Sequence, residues 1–95
     1  MTANKILITG GATRIGAAIA KSLADFETSI TIHYNKSKTN ALKLKKELEG
    51  LGSEVYLLKA DLNNFKQTQK LLPLAFNKMK GLNCLINNAS LFEND

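Results

Sequence analysis

The stretch Ile6-Leu7-Ile8-Thr9-Gly10-Gly11-Ala12-Thr13-Arg14-Ile15-Gly16 decides the fold. Its apolar start, residues 5–9, reads as a short strand buried on both faces. The run breaks at a glycine pair and resumes from Ile15 as an amphipathic pattern. A strand that feeds a helix through a glycine turn is a device for holding phosphate. The first N–H groups of the helix lack partners, and its dipole favours negative charge there. Gly10 suits a turn that needs a positive φ, and Gly16 permits close packing of helix on strand.

Working outward, strand and helix patterns alternate to the end of the chain. Ile15, Ala18, Ile19, Leu23 and Phe26 recur at three- and four-residue spacing and outline the first helical face. Residues 29–34 contain Ile30, Thr31 and Ile32 and read as a second strand. Ala41, Leu44, Leu48 and Leu51 mark a second helix, closed by Gly50 and Gly52. Residues 55–58 form a third strand ending at Asp61. Phe65, Leu72, Ala75, Phe76 and Met79 mark a third helix stopping near Gly81, in which Pro73 is expected to cause a kink or restart. Residues 82–87 are the fourth strand, with Cys84 expected as a small buried hydrophobe, and residues 88–95 a loop leaving it. The order βαβαβαβ predicts the first half of a doubly wound, Rossmann-type α/β fold with a parallel sheet, one unit over residues 1–95.

In such sheets the ligand lies outside the carboxyl ends of the strands. Segments 9–16, 33–37, 61–62 and 87–90 are therefore expected to converge on one rim. At the end of the second strand an acidic residue would accept hydrogen bonds from a ribose diol and repel a 2′-phosphate. The chain instead reads His33-Tyr34-Asn35-Lys36-Ser37, with Tyr34 where that acid would stand. Lys36 offers charge, and Asn35, Ser37 and backbone N–H groups offer donors, so NADP(H) is preferred over NAD(H). Arg14 places a guanidinium beside the phosphates or the 2′-phosphate, unless it is simply an exposed helix-start residue. Asp61 reads equally as a helix cap or turn former and as a contact to the adenine amino group.

The glycine turn, Asp61-Leu62 and Asn87-Asn88-Ala89-Ser90 together resemble the short-chain dehydrogenase/reductase family over the whole chain. Arg14-Ile15-Gly16, the 33–37 segment and Asn88-Ala89-Ser90 followed by Phe92 are most similar to the pteridine reductases and the bacterial dihydromonapterin (dihydrofolate) reductases. More generic members usually have glycine in the Arg14 and Ser90 slots. The resemblance implies an NADPH-dependent reductase acting on the C=N of a pterin, with a 3-oxoacyl or sugar-like carbonyl as the alternative substrate. It places Arg14 and Ile15 along the phosphates, His33 to Ser37 around the 2′-phosphate, and Asp61 and Leu62 beside adenine. Asn88, Ala89 and Ser90 would border the nicotinamide ribose, Ser90 would also reach the substrate, and Phe92 would stack on it. The family's Tyr-x-x-x-Lys pair would lie beyond the fourth strand, so no catalytic residue is assigned here. Tyr34 and Lys38 have that spacing but fall at the adenosine end, on a strand-to-helix loop. Family members also imply a homo-oligomer, a tetramer, when full length.

Thirteen basic against eight acidic residues leave a net charge of +5. The lysines lie at helical spacing and read as solvated faces, and Arg14 is the single arginine, so no nucleic-acid partner is expected. One cysteine and one histidine build neither a disulfide framework nor a metal cluster. The start of the chain carries no leader pattern, and no apolar run reaches membrane-spanning length, so a cytoplasmic location without a membrane partner is expected. An apolar fourth strand left at a sheet edge invites pairing. The expectation is an amino-terminal half whose catalytic half lies beyond it; the alternatives are a truncated product or a non-catalytic nucleotide-binding module.

Overall fold

A computed structural model describes residues 3–88 of the chain. Seven elements alternate along it: β1 (Asn4–Thr9), α1 (Arg14–Leu23), β2 (Thr28–Tyr34), α2 (Lys38–Gly50), β3 (Glu54–Lys59), α3 (Phe65–Met79) and β4 (Cys84–Asn87). The four strands form one parallel sheet in the order β3-β2-β1-β4. The chain steps outward from β1 to β3, then crosses back to lay β4 on the other side of β1. Strand order therefore reverses between β1 and β4, and all four carboxyl ends share one rim. This is the expected Rossmann-type α/β half.

The continuous apolar runs follow from having helices on both faces of the sheet. Ile6 and Ile8 of β1, Ile30 and Ile32 of β2 and Val55 of β3 face Ala20 of α1 and Leu44 and Leu48 of α2. Leu7 and Leu58 point the other way, onto Leu71, Ala75 and Met79 of α3. Side chains buried this fully, such as Leu7, Ile8, Ile30 and Ile32, contribute about 1.5–3 kcal/mol each relative to exposure. The central strand β2 is buried along its whole length although it carries Thr28, Ser29, Thr31 and His33. Thr28 Oγ1 donates to Asp25 Oδ1 at 2.7 Å, and Ser29 Oγ to Glu54 Oε1 at 3.1 Å. Among the described residues, Thr31 Oγ1 is the buried side-chain polar atom left without a partner.

Five expectations are corrected. The inward face of α1 is built on Gly16 and Ala20, with Ala17, Ile19 and Leu23 partly buried, whereas Ile15 is 59% exposed. Small residues let the helix sit close to the glycine turn, and that contact, not the largest side chains, sets its rotation. Phe26 falls beyond the helix, and its ring lies over Gly52, which adopts φ +103°. In α3 the buried residues are Leu71, Ala75 and Met79, while Phe65, Leu72 and Phe76 face outward.

Pro73 does not restart α3, which runs unbroken from Phe65 to Met79. The carbonyl that loses its N–H partner belongs to Gln69, an exposed residue on the solvent side of the helix. The helix is capped by Asn64, whose side chain accepts from the Gln67 N–H at 3.1 Å. It closes on Lys80 in the left-handed conformation, just before Gly81. Cys84 is exposed rather than buried, because it opens the outermost strand of the described sheet and is paired only toward β1.

Candidate functional site

The loop from β1 to α1 is organised by Thr13. Its hydroxyl donates to the Gly10 carbonyl at 2.7 Å and accepts from the Gly16 N–H at 3.2 Å and from Asn88 Nδ2 at 3.1 Å. Asn88 Nδ2 also donates to the Gly10 carbonyl at 3.1 Å, so β4 clamps the turn that follows β1. Gly10 turns with φ +62°, as expected. Its N–H, however, does not face a ligand. It donates to His33 Nδ1 at 2.9 Å, and the Gly11 N–H donates to the His33 carbonyl at 3.0 Å.

The four amides at the start of a helix have no partners within it. Here Thr13 N–H reaches the Gly10 carbonyl and Gly16 N–H the Thr13 hydroxyl. That leaves Arg14 and Ile15, the two residues expected along the phosphates. Both side chains are exposed. Neither α1 nor α2 has an acidic residue in its first turn, so nothing there neutralises the positive ends of the two helices. Thr13 was not singled out in the sequence, although a threonine just before an amphipathic run is an N-cap signal.

The loop from β2 to α2 divides into inward and outward residues. His33 is 1% exposed and Tyr34 7%. His33 reaches the rim from beneath, with both ring nitrogens engaged, and Tyr34 packs with Ala12 and Ala41. Both side chains are drawn into the core rather than standing exposed at the rim. Lys36 is exposed, and Asn35 and Ser37 are half-buried. Ser37 is the N-cap of α2 but makes no side-chain capping bond. Tyr34 ends a strand and Lys38 begins a helix, so the pair shares no helical face. A groove of about 260 Å³ runs from this region between α1 and α2, lined in part by Thr13, Arg14, Asn40 and Lys43. At its far end Lys21 Nζ pairs with Glu47 Oε2 at 2.7 Å.

After β3, Asp61 acts as a turn former. Its Oδ1 accepts from the Asn63 N–H at 2.9 Å, and its own N–H donates to Gln67 Oε1 at 2.7 Å. The cap of α3 is Asn64, not Asp61. A carboxylate has more acceptor sites than this one bond uses, so the adenine reading stays compatible with the turn. Leu62 is half-buried against the α3 side of the core. Asn88 reaches the rim, but its amide nitrogen serves the glycine turn. The expected contacts of Ala89, Ser90 and Phe92 lie outside the described residues. No helix among the described residues is long and apolar enough to cross a membrane.

Residues 4–95 match the family model described as short chain dehydrogenase. The short chain dehydrogenase/reductase AacuN of Aspergillus aculeatus is 34% identical over 85 residues, covering 90% of this chain and 32% of that protein. The FolM alternative dihydrofolate reductase 1 from Brucella canis, solved with NADP, superposes with a TM-score of 0.77 at 29% identity, over 98% of this chain and 37% of that one. An NADH-dependent reductase, A1-R′, solved with NAD, superposes with a TM-score of 0.83 at 27% identity, over 94% of this chain and 37% of that one. The chain thus spans about a third of the length of these relatives. With the parallel sheet, the glycine turn and a match along nearly all its residues, this chain belongs to the short-chain dehydrogenase family.

Proposed function

We propose that this chain is the cofactor-holding part of an NADPH-dependent reductase that reduces a pterin-like C=N, or a small carbonyl, with the proton-donating Tyr and Lys supplied by sequence beyond residue 95. The observation that carries the reading is the pair of open amides at Arg14 and Ile15, set at a helix start beside a β2 end without a carboxylate. Two adjacent N–H groups, the Arg14 guanidinium and the α1 dipole fit a pyrophosphate. Lys36, Asn35 and Ser37 fit a 2′-phosphate, and nothing acidic at that position repels one. Gly16 keeps the helix close enough for this grip. When bound, NADPH supplies the hydride; the chain's own part is to hold, orient and charge-match it.

The pterin preference rests on the resemblance of Arg14-Ile15-Gly16, the 33–37 segment and Asn88-Ala89-Ser90 with Phe92, and is supported by the FolM similarity. The NAD-bound reductase among the similar structures makes cofactor choice the point to test. Fluorescence titration of the intact protein should give NADPH an affinity at least about tenfold above NADH, the size of one charge-assisted hydrogen bond. Equal affinities would overturn the role given to Lys36 and its neighbours.

A further inference from the structure

His33 is a buried ionisable side chain that the proposed chemistry does not use, and its surroundings define its hydrogen-bonding roles. Nδ1 accepts the Gly10 N–H at 2.9 Å, and Nε2 lies 2.8 Å from the Ala60 carbonyl oxygen. An amide N–H can only donate and a carbonyl can only accept, so the ring is the Nε2–H tautomer. One rigid ring therefore spans from the turn after β1 to the loop after β3. The backbone repeats the connection: Gly11 N–H donates to the His33 carbonyl and Ala60 N–H to the Tyr34 carbonyl, each at 3.0 Å.

We propose that His33 is a positioning residue that sets the height and tilt of the phosphate turn, and through it the affinity for the cofactor pyrophosphate. The second half of this statement rests on the functional reading above. The physical argument is directional. By drawing the Gly10 and Gly11 amides down into β2, His33 leaves the chain to rise through Ala12 and Thr13, so that the amides left open along the turn and the helix start are those of Ala12, Arg14 and Ile15. Without an acceptor at Nδ1, the Gly10 N–H would be buried and unsatisfied, and the turn would shift to relieve it. Without a donor at Nε2, the Ala60 carbonyl loses a bond, but the turn keeps its own.

The two ends can be separated. An asparagine amide reaches the Nδ1 position and a glutamine amide the Nε2 position. His33→Asn should therefore keep the Gly10 bond, His33→Gln the Ala60 bond, and His33→Phe neither. In the intact protein, NADPH dissociation constants should rise about tenfold or more for Gln and Phe, and less than about threefold for Asn. KM for NADPH should rise with kcat little changed. NMR should show Gly10 amide exchange slow in the wild type and in Asn, and fast in Gln and Phe. The nitrogen spectrum of the wild-type ring should be that of the Nε2–H tautomer, a measurement that needs no variant to fold.

A merely structural histidine would lower thermal stability in all three variants without ordering their cofactor affinities by the Gly10 acceptor. An Nδ1–H ring, or unchanged NADPH affinity in His33→Gln while the wild type binds, would overturn the proposal. A wild type that binds neither NADPH nor NADH would instead overturn the functional reading. The positioning of the turn would then be judged by the ring spectrum and the Gly10 exchange alone.

Discussion

A methyl group added at Gly16 would run into the Gly10 carbonyl oxygen and stand 2.7 Å from Gly11 Cα and 2.9 Å from Asn88 Nδ2. Two of those three neighbours are backbone, so the helix would have to lift off the turn. Gly16→Ala should lower stability by about 1–3 kcal/mol, read as a fall in melting temperature, and should weaken NADPH binding as the Arg14 and Ile15 amides move. Arg14→Gly leaves the fold in place but removes the guanidinium; NADPH dissociation constants should rise about tenfold. Unchanged affinity would return Arg14 to an ordinary surface residue. Thr31→Val exchanges an unpartnered buried hydroxyl for a methyl of similar shape and should raise stability by about 1 kcal/mol, measured by urea denaturation. Gly10 and Gly16 were legible because a turn φ and a close approach of helix to turn constrain residue type directly. The inward aim of His33 and Tyr34 was not legible: in a strand covered on both faces, alternation no longer separates core from rim.

Among the elements, the strands and their parallel pairing were read closely, because four short apolar runs separated by helical patterns call for crossover connections; the order β3-β2-β1-β4 came from the structure. The helix faces were read less well. Hydrophobic periodicity weights large side chains, whereas α1 docks through Gly16 and Ala20. Pro73 shows the opposite error, since a proline on the solvent side of a well-packed helix is tolerated at a cost. Pro73→Ala should restore the bond to the Gln69 carbonyl and stabilise the protein by about 2 kcal/mol, the helix-interior penalty less the gain in unfolded-chain freedom. Calorimetry would check it. Between α1 and α2, the hydrogen bond from Lys21 holds the Glu47 carboxyl below its ordinary 4.5, outweighing desolvation and aided by the charges of Lys21 and Lys43. The folded-state value is the depressed one. The stability from this pair is therefore present above the unfolded value and lost as pH falls through the folded one. Wild type should exceed Glu47→Gln in urea midpoint at neutral pH by a small, salt-sensitive margin that vanishes in acid; a constant margin would deny the pair any role.

At the scale of the molecule, the site is a rim to which four loops contribute. The sheet order β3-β2-β1-β4 puts the β1 turn beside both the β2 end and the β4 end. That convergence was legible from the alternation of elements alone. How the loops are tied together, by Thr13, Asn88 and His33, was not, because each tie is a single hydrogen-bonding side chain with no pattern around it. The isolated polypeptide of 95 residues should show no steady-state turnover with pterins or small carbonyls; measurable reduction would mean that the proton donor lies within it after all. The clamp from Asn88 onto Gly10 and Thr13 also bears on how the protein is made. Three strands and the glycine turn leave the ribosome well before the residue that locks the turn. A nascent chain halted short of residue 88 would carry most of its sheet without the side chain that fixes the turn, so on the proposed reading cofactor capture during synthesis awaits the fourth strand.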